Sequence, residues 1–254
     1  MSGTKKYILV TGANGQLGTE LQQLTSLYKD DTFTFTDSQE LDITKKQEVD
    51  TFFNKHSFTH CINCAAYTAV DKAESEKEIA FAVNADGAGN LAAACDTNHV
   101  TFIHVSTDYV FDGTGERPYA ETDSVNPLGM YGTSKLAGEA YVMKENKEAV
   151  IIRTSWVYSS YGKNFVKTMM RLMKEKEQIG VVNDQQGSPT YAADLAGAIM
   201  RIIDKGTQPG IYHYCNEGII SWYEFALAIR EITGSTCMVN AITTADYPTP
   251  AKRP

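Results

Sequence analysis

The stretch Thr11-Gly12-Ala13-Asn14-Gly15-Gln16-Leu17-Gly18 decides the fold of this chain. An apolar, strand-like run precedes it at residues 7–10, and leucines recur at helical spacing from Leu17 to Leu24. The glycines follow the pattern G-x-x-G-x-x-G, which permits a sharp turn, close approach of backbone to a phosphate, and close packing of helix on strand. Because the free N–H groups at a helix start favour anions, this order of elements predicts a dinucleotide-binding loop. An ordinary glycine-rich turn between strand and helix is the alternative.

Strand-like and helical patterns continue to alternate through the first half of the chain. Strand-like runs lie at residues 33–36, 60–64, 101–106 and 150–153, and helical patterns lie between them at residues 45–55, 78–96 and 131–145. This repetition predicts an α/β fold with a Rossmann-type doubly wound parallel sheet, covered by helices on both faces.

The second half is less regular and predicts a smaller C-terminal substrate-binding lobe. Helical stripes recur along it, around residues 165–172, 195–202 and 225–232. The run Ser221-Trp222-Tyr223-Glu224 fits a capping box. We predict a dinucleotide-binding (Rossmann) domain at residues 1–154 and a mainly substrate-binding lobe at residues 155–254. The segment around residues 190–210 is expected to pack back on the Rossmann domain.

Composition narrows the class of protein. The chain has 254 residues, of which 43% are apolar and 21% charged, so it can bury a sizeable core. Its 23 basic and 31 acidic residues give a net charge of −8, which argues against a nucleic-acid partner. No apolar run approaches the roughly 18 residues of a membrane span, and we identify no signal peptide. The five scattered cysteines are interpreted as thiols of a reducing compartment, so a soluble, cytoplasmic protein is expected.

The run Tyr131-Gly132-Thr133-Ser134-Lys135 is the candidate for the chemistry. On a helix, residues i and i+4 share a face, so the Lys135 ammonium can lie beside the Tyr131 phenol. A free tyrosine has a pKa of about 10, and a neighbouring cation lowers that value. The phenol could then exchange a proton with a carbonyl or hydroxyl of a substrate. The same spacing also occurs by chance on solvated helix faces, which is the alternative.

Two further segments end strands at the edge where ligands bind in parallel sheets. Ser106-Thr107-Asp108 offers a hydroxyl that can hydrogen-bond the oxygen that Tyr131 would protonate, or else it forms a turn. Asn63-Cys64-Ala65-Ala66 closes another strand with small residues, as backbone lying against a cofactor requires. Both segments support a ligand site at this edge.

Asp37 bears on the choice of cofactor. It ends the second strand-like run, 25 residues beyond Gly12. An acid at this place usually accepts hydrogen bonds from the adenosine ribose and favours NAD, although a turn aspartate is the alternative. Lys45 and Lys46 could approach a 2′-phosphate, so NADP stays open.

These motifs and several longer segments resemble the extended short-chain dehydrogenase/reductase family over nearly the whole chain. The longer segments are most similar to the family's 4-keto sugar-nucleotide reductases, at residues 65–74, 106–111, 153–158, 183–185 and 248–254. Sugar-nucleotide dehydratases of the same family carry Thr-Asp-Glu where this chain has Thr107-Asp108-Tyr109. Because an aromatic ring cannot replace that carboxylate, the difference favours simple reduction.

The resemblance implies a reaction and a role for each site residue. NADP(H) or NAD(H) would reduce the C4 keto group of dTDP-4-dehydro-β-L-rhamnose to give dTDP-L-rhamnose, a precursor of cell-surface polysaccharide. Tyr131 would protonate the oxygen, Lys135 would tune Tyr131 and bind the nicotinamide ribose, and Thr107 would polarise the carbonyl. Thr107, Asp108 and Trp156 would contact this dTDP-sugar. The cofactor would be lined by Gly12, Asn14, Gly15, Gln16, Leu17, Gly18, Asp37, Asp42, Ile43, Ala65, Ala66, Tyr67, Thr68, Val105, Tyr131 and Lys135.

Two rival functions stay open at this point. An epimerase or dehydratase could use the same fold, and a non-catalytic regulatory subunit could too, since the regulatory subunit of methionine adenosyltransferase also resembles this family. The intact Thr107, Tyr131 and Lys135 argue against the regulatory subunit. A homodimer is compatible with the sequence.

Several other residues are interpreted as structural. Cys61 and Cys64 have redox spacing but lie in a strand that looks buried, where thiols are inert. His104 is interpreted as a structural strand residue, and residues 71–78 as a solvated helix face. The five histidines show no metal-ligand spacing, so no metal is predicted.

The end of the chain departs from the family. The family continues with a further helix, whereas this sequence stops at Pro254, so we expect an exposed apolar groove. The diphosphate of the substrate needs cations, for which Arg253, Lys163 and Lys252 are candidates by location. Solvated surface charge is the alternative for all three.

Overall fold

The computed structural model describes residues 5–254. The strands are β1 (Tyr7–Thr11), β2 (Thr32–Thr36), β3 (His60–Asn63), β4 (Thr101–Thr107), β5 (Val150–Thr154), β6 (Val157–Tyr158), β7 (Gln178–Val182), β8 (Gln186–Gly187), β9 (Thr190–Tyr191), β10 (Gly210–His213), β11 (Ile220–Ser221) and β12 (Met238–Ile242). The α-helices are α1 (Gln16–Leu24), α2 (Lys46–Lys55), α3 (Lys77–Phe81), α4 (Ala88–Thr97), α5 (Met130–Glu145), α6 (Phe165–Glu175), α7 (Ala192–Lys205) and α8 (Trp222–Thr233). A π-helical segment, Ala82–Gly87, joins α3 to α4, and short 3₁₀ turns lie at Thr25–Leu27, Lys72–Glu74, Asp108–Val110 and Thr244–Asp246.

Six strands form one sheet in the order β10-β5-β4-β3-β1-β2. Every neighbouring pair in it is parallel. Because β2 and β3 lie on opposite sides of β1, the strand order reverses there. Ligands bind in such sheets outside the carboxyl ends of the strands, at the point of reversal. The predicted α/β fold with a parallel, doubly wound sheet is confirmed.

Each face of the sheet carries its own apolar core, because successive strand residues point to opposite faces. On one face Leu9 and Phe102 pack with residues of α2, α4 and α5. On the other face Ile8 and Ile103 pack with residues of α1 and α7. All four side chains are fully buried. Strands buried on both faces explain why the strand segments read as continuous apolar runs.

Two elements from the second half of the chain complete this sheet and its cover. β10 pairs with β5, with Gly210 opposite Val150, and becomes the edge strand. α7 packs against α1, and its Leu195 and Ile199 are fully buried in the core between that helix and the sheet. The sheet is therefore built from both halves of the chain.

The remaining second half forms a smaller layer around the parallel pair of β7 and β12. α6 and α8 pack on this pair through a separate apolar cluster that includes Met173 and Ile229. The predicted capping box is confirmed at the start of α8. The Glu224 N–H donates to Ser221 Oγ at 3.1 Å, and the Ser221 N–H donates to Glu224 Oε2 at 2.7 Å. Within residues 5–254, no helix is long and apolar enough to cross a membrane.

Candidate active site

The turn between β1 and α1 brings bare backbone close together. Gly12 has a φ of +67°, in the left-handed region, and a Cβ there would lie 2.5 Å from the Ala65 nitrogen. A Cβ on Gly18 would lie 2.4 Å from the Gly12 carbonyl oxygen. In the part of the chain that the structure describes, no side chain caps α1 at Gly15, so its first N–H groups are open to an anion. This cradle fits the pyrophosphate of a dinucleotide.

Two other residues of the turn connect it to the rest of the fold. Leu17 is buried in the core beneath the turn. Gln16 donates its side-chain amide to the Val157 carbonyl at 3.3 Å and accepts from the Asn164 amide at 2.9 Å. The phosphate-binding turn is thereby linked to the segment that follows β5.

Asp37 stands at the end of β2, beside the glycine turn. Its carboxylate accepts from the Asn14 side-chain amide and, at 2.9 Å, from the Gln39 N–H. The Asp37 N–H donates to Glu40 Oε2 at 3.0 Å. Hydrogen bonding, first to the Gln39 backbone and then to Glu40, lowers the pKa of Asp37. Two carboxylates side by side suit ribose hydroxyls better than a 2′-phosphate.

Asp42 and Ile43 lie in the turn that leads to α2. The Thr44 hydroxyl donates to Asp42 Oδ1 at 2.7 Å and is the main cause that lowers the pKa of Asp42. Ile43 is buried against Gly87, and its carbonyl accepts from the Asn90 amide at 3.0 Å. These contacts fix the backbone at the predicted adenosine end of the site.

The end of β3 carries a buried polar network. Asn63 Oδ1 accepts from the Thr11 hydroxyl at 2.7 Å and from the Ala65 N–H at 3.1 Å. Its amide nitrogen lies 3.0 Å from His104 Nδ1. Burial lowers the pKa of His104 well below its usual range, so the imidazole is neutral. The network holds the small residues Ala65 and Ala66 beside the glycine turn.

Asn84 joins the loop that contains Tyr67 and Thr68 to α5. It lies buried in the π-helical segment, where it accepts from the Tyr67 N–H at 2.8 Å and donates to Ser134 Oγ at 3.0 Å. Ser134 donates in turn to the Tyr131 carbonyl at 2.8 Å. Sequence analysis missed Asn84, because no local pattern marks an asparagine inside an alanine-rich helix as functional. The π-helical turn that contains it, a feature frequent at functional sites, is visible only in the structure.

Tyr131 and Lys135 lie one turn apart on α5, and Thr107 ends the neighbouring strand β4. The Lys135 side chain is 2% exposed, and its ammonium donates to the Val105 carbonyl at 2.7 Å. The Thr107 hydroxyl donates to Asp108 Oδ1 at 3.1 Å. The three predicted catalytic side chains therefore come from two adjacent elements at the carboxyl edge of the sheet.

Burial sets the protonation of this group. It lowers the pKa of Lys135 to about 8, although the nearby Glu139 carboxylate opposes the change. It raises the pKa of Tyr131 to about 12, and the Thr107 hydroxyl only partly offsets that rise. The expectation that Tyr131 has a lowered pKa is wrong for the free protein, because desolvation disfavours the phenolate.

A cavity of about 410 Å³ opens beside these residues. Asp108 and Tyr109 lie on its wall, and the Tyr109 ring packs edge-on against Tyr131 with the ring centroids 5.4 Å apart. Burial raises the pKa of Asp108 to about 6. The volume suits a small ligand, and the wall combines residues after β4 and β5 with residues of the second half.

Two tryptophans meet on the wall of this cavity. Trp156 stacks on Trp222 with ring centroids 3.5 Å apart and planes inclined by 11°. Trp156 has a φ of +48°, a left-handed conformation that costs a non-glycine residue on the order of 1–3 kcal/mol. Such strain persists where neighbours fix it and is common at ligand sites. Sequence analysis missed Trp222, since its pattern identified only the start of α8.

The segment that the sequence predicts as a solvated helix face makes structural contacts instead. Asp71 forms a two-point ion pair with Arg253, with both N–O distances 2.8 Å. Glu74 Oε1 accepts from the Met130 N–H at 2.8 Å and so caps the start of α5. The prediction for residues 71–78 is wrong at these positions, and the Arg253 guanidinium is bound to Asp71 rather than directed to a diphosphate.

The cavity wall includes neither of the other two predicted cations. These are Lys163 and Lys252, both of which are exposed. Arg117 and Arg153 are on the wall instead. Arg117 is the exposed member of the two, paired at the surface with a carboxylate.

Cys61 and Cys64 have the surroundings of inert thiols, as the sequence predicts. Cys61 and Cys95 are buried, and burial raises the pKa of the Cys64 and Cys95 thiols. Over residues 5–254, no group of three or more His, Cys, Asp or Glu side chains could hold a metal ion.

Known proteins are similar to this chain in sequence and in fold. The profile of the family described as RmlD substrate binding domain matches residues 5–254. The chain belongs to this family. A dTDP-4-dehydrorhamnose reductase from Aggregatibacter actinomycetemcomitans is 44% identical over 258 residues, covering 97% of this chain and 88% of that relative.

Two solved structures extend the comparison with the RmlD family. A dTDP-4-dehydrorhamnose reductase from Clostridium acetobutylicum has a TM-score of 0.94 at 46% identity, covering 98% of this chain and 88% of that chain. A dTDP-4-dehydrorhamnose reductase from Bacillus anthracis, in complex with NADP, has a TM-score of 0.95 at 41% identity, covering 99% and 89%. The predicted membership of the extended short-chain dehydrogenase/reductase family is confirmed.

Proposed function

We propose that this chain is an NAD(P)H-dependent oxidoreductase that reduces the C4 keto group of dTDP-4-dehydro-β-L-rhamnose to dTDP-L-rhamnose. The observation that carries the proposal is the grouping of Thr107, Tyr131 and Lys135 at the carboxyl edge of the sheet, beside the glycine turn and a cavity. Relatives of more than 40% identity that bear the name dTDP-4-dehydrorhamnose reductase support the choice of substrate.

The residues that would hold the cofactor follow from the site. NADPH or NADH, when bound, supplies the hydride. The backbone N–H groups of the Gly12–Gly18 turn would bind the pyrophosphate, because the glycines have no side chains that would fill the turn. The Asp37 carboxylate would accept hydrogen bonds from the adenosine ribose. The buried Lys135 ammonium would donate a hydrogen bond to the nicotinamide ribose. Ala65 and Ala66 would form a floor of small residues against the rings.

The chain's own residues would manage the proton. The Tyr131 phenol donates its proton to the C4 oxygen as the carbonyl becomes a hydroxyl, and the Lys135 ammonium steadies the phenolate that remains. The Thr107 hydroxyl hydrogen-bonds the same oxygen and polarises the carbonyl. A phenol whose pKa burial raises to about 12 keeps its proton well above neutral pH. It is therefore protonated at neutral pH and can give its proton to the nascent alkoxide.

The rest of the substrate would lie in the cavity between the two halves. Asp108 and Trp156 would contact the sugar, and Arg117 would meet the diphosphate. We propose residues 1–154 as the dinucleotide-binding domain and residues 155–254 as mainly the substrate-binding lobe, with the segment around 190–210 packed on the first domain. A homodimer stays a prediction, to be checked by the mass of the protein in solution.

A panel of substrates tests this function. The protein is assayed with dTDP-, UDP- and GDP-linked 4-keto-6-deoxy sugars, each with NADPH and with NADH, by loss of the reduced-cofactor absorbance. We expect oxidation of cofactor with the dTDP sugar at a higher kcat/KM than with the UDP or GDP sugars. Isomerised sugar without net oxidation would contradict reduction and favour an epimerase. Absence of turnover with every sugar would contradict both.

A further inference from the structure

The buried Glu139 carboxylate carries an inference that deepens the proposed reduction and rests on it. Glu139 lies one helical turn beyond Lys135 on α5, so the two side chains share a face of the helix. Its residue is 3% exposed, and Lys135 is 2% exposed. A buried carboxylate destabilises the folded state unless it is paired, so the partners of Glu139 indicate its role.

Glu139 joins α5 to two strands of the sheet. Its Oε1 accepts from Ser106 Oγ at 2.5 Å and from Arg153 Nε at 2.9 Å, and its Oε2 accepts from Arg153 Nη2 at 2.7 Å. Ser106 directly precedes Thr107 on β4, and Arg153 on β5 lies three residues before Trp156. The carboxylate therefore contacts the elements that carry every predicted catalytic residue.

We propose that Glu139 is a positioning residue for the reduction. Its negative charge keeps the buried Lys135 ammonium protonated, and its bonds to Ser106 and Arg153 hold α5 against the strands that end beside the site.

Of the other ionisable groups around Lys135, three are uncharged at neutral pH, whereas Arg153 is the cation paired with Glu139. Tyr131 shares the face of α5, while Cys64 after β3 and His104 on β4 approach from the sheet. Burial raises the pKa of Tyr131 to about 12 and raises the pKa of Cys64, so both keep their protons. Burial lowers the pKa of His104, which leaves it neutral. Among these groups Glu139 supplies the full negative charge, which raises the pKa of Lys135 against its burial.

The pH profile of kcat/KM separates this role from a purely structural one. Burial already lowers the pKa of Lys135 to about 8, so loss of its proton sets the alkaline limb before Tyr131 titrates. In Glu139→Gln the ammonium loses a stabilising anion, and we expect that limb to move to lower pH by about one unit or more. At the acid end Lys135 is protonated in both proteins, so the loss of rate should be smallest there.

Two matched variants complete the profile. Glu139→Asp keeps the negative charge, so the alkaline limb of its pH profile should stay near that of the wild type even if its rate falls. Glu145→Gln removes an exposed carboxylate from the end of the same helix and should leave the profile unchanged. A limb that stays in place in Glu139→Gln, with an equal loss of rate at every pH, would overturn the proposal.

A second readout does not depend on turnover. The Lys135 signal is followed by NMR in protein labelled with ¹³C at lysine Cε, and is assigned by its loss in Lys135→Met. We expect its midpoint to lie at lower pH in Glu139→Gln than in wild type, and an unchanged midpoint would overturn the proposal. Because this titration uses the free protein, it still decides the inference if the proposed reductase activity is absent.

The double variant Glu139→Gln/Arg153→Gln guards against a folding defect. It removes both charges of the buried pair, so no unpaired charge stays in the core. Burial, Glu139 and Cys64 set the pKa of Lys135, and Arg153 is not among these causes, so the midpoint should again fall. If neither neutral variant folds, the carboxylate serves the fold alone and the proposal is wrong.

Discussion

Desolvation sets the protonation state of Tyr131 at neutral pH. A lowered pKa would help a tyrosine that must take a proton, whereas a reductase needs one that gives a proton. Burial raises the pKa of Tyr131 to about 12 and lowers the pKa of Lys135 to about 8. At neutral pH both groups are therefore protonated, which is the state that the proposed reduction requires.

Replacing Tyr131 tests this assignment. Tyr131→Phe removes the phenolic proton while it keeps the ring against Tyr109, so kcat should fall by about 10²–10⁴ with little change in cofactor affinity. Steady-state turnover and a fluorescence titration with NADPH measure the two quantities. Tyr141→Phe, on an exposed part of the same helix, is the control. Unchanged turnover in Tyr131→Phe would show that another group donates the proton.

Asp37 should set the cofactor preference. In Asp37→Asn the carboxylate no longer repels a 2′-phosphate, so the ratio of kcat/KM for NADPH to that for NADH should rise by about tenfold. Asp96→Asn removes an exposed carboxylate from the end of α4 and should leave the ratio unchanged. If Asp37→Asn leaves the ratio as it is, the Asp37 carboxylate does not face the adenosine ribose.

The residues that sequence analysis found differ in kind from those it missed. Tyr131 and Lys135 are four positions apart, so one helical spacing predicts their shared face. Asp71 and Arg253 form an ion pair across 182 positions, and no local pattern links them. Glu74 likewise acts on a helix that begins 56 positions later. Long-range partners of this kind depend on the tertiary fold.

Among the elements, α5 begins with a contact from elsewhere in the chain. Its first turn contains no acidic residue, and Gly129 at its N-terminus provides no side-chain cap within the described residues. The Glu74 carboxylate supplies both the missing acceptor and the negative charge that a helix N-terminus favours. Since Tyr131 follows Met130 directly, this cap holds the turn that carries the candidate acid.

Removing this cap should affect both stability and rate. Glu74→Ala should lower the free energy of unfolding by about 1 kcal/mol, as does loss of a helix cap, and lower kcat by about tenfold through misplacement of Tyr131. Urea unfolding and steady-state kinetics measure the two effects. Glu148→Ala removes an exposed acid from the turn after α5 and should change neither. If Glu74→Ala matches this control in both measurements, the cap does not position Tyr131.

The elements also differ in how far the sequence predicts them. The strands from β1 to β5 are short strand-like segments between helical patterns, and their positions are confirmed within one or two residues. β10 has only four residues, Gly210–His213, of which one is glycine, and pairing with β5 alone makes it a strand. Such a short segment becomes recognisable once the sheet edge that it completes is known.

At the scale of the whole molecule, both halves of the chain build the cavity. Trp156 follows the sheet strand β5, whereas Trp222 begins α8 of the smaller layer, and their stacked rings join the two. These are the two tryptophans of the chain, so its tryptophan emission reports on this cavity alone.

Binding of a nucleotide should therefore change the emission. Saturating dTDP, which shares the nucleotide of the proposed substrate, should shift or quench tryptophan fluorescence because both rings line the cavity. Sodium chloride at the same ionic strength is the control and should leave the emission unchanged. If calorimetry detects dTDP binding while the emission stays constant, the nucleotide binds outside this cavity.

The destination of the hydride tests the central claim most directly. The wild-type protein is supplied with dTDP-4-dehydro-β-L-rhamnose and with NADPH or NADH that carries deuterium at the transferable position, and the sugar product is examined by NMR. The proposed reduction predicts one deuterium at C4 of dTDP-L-rhamnose for each cofactor oxidised. A product without deuterium at C4, or a sugar that stays unreduced beside intact cofactor, would contradict it.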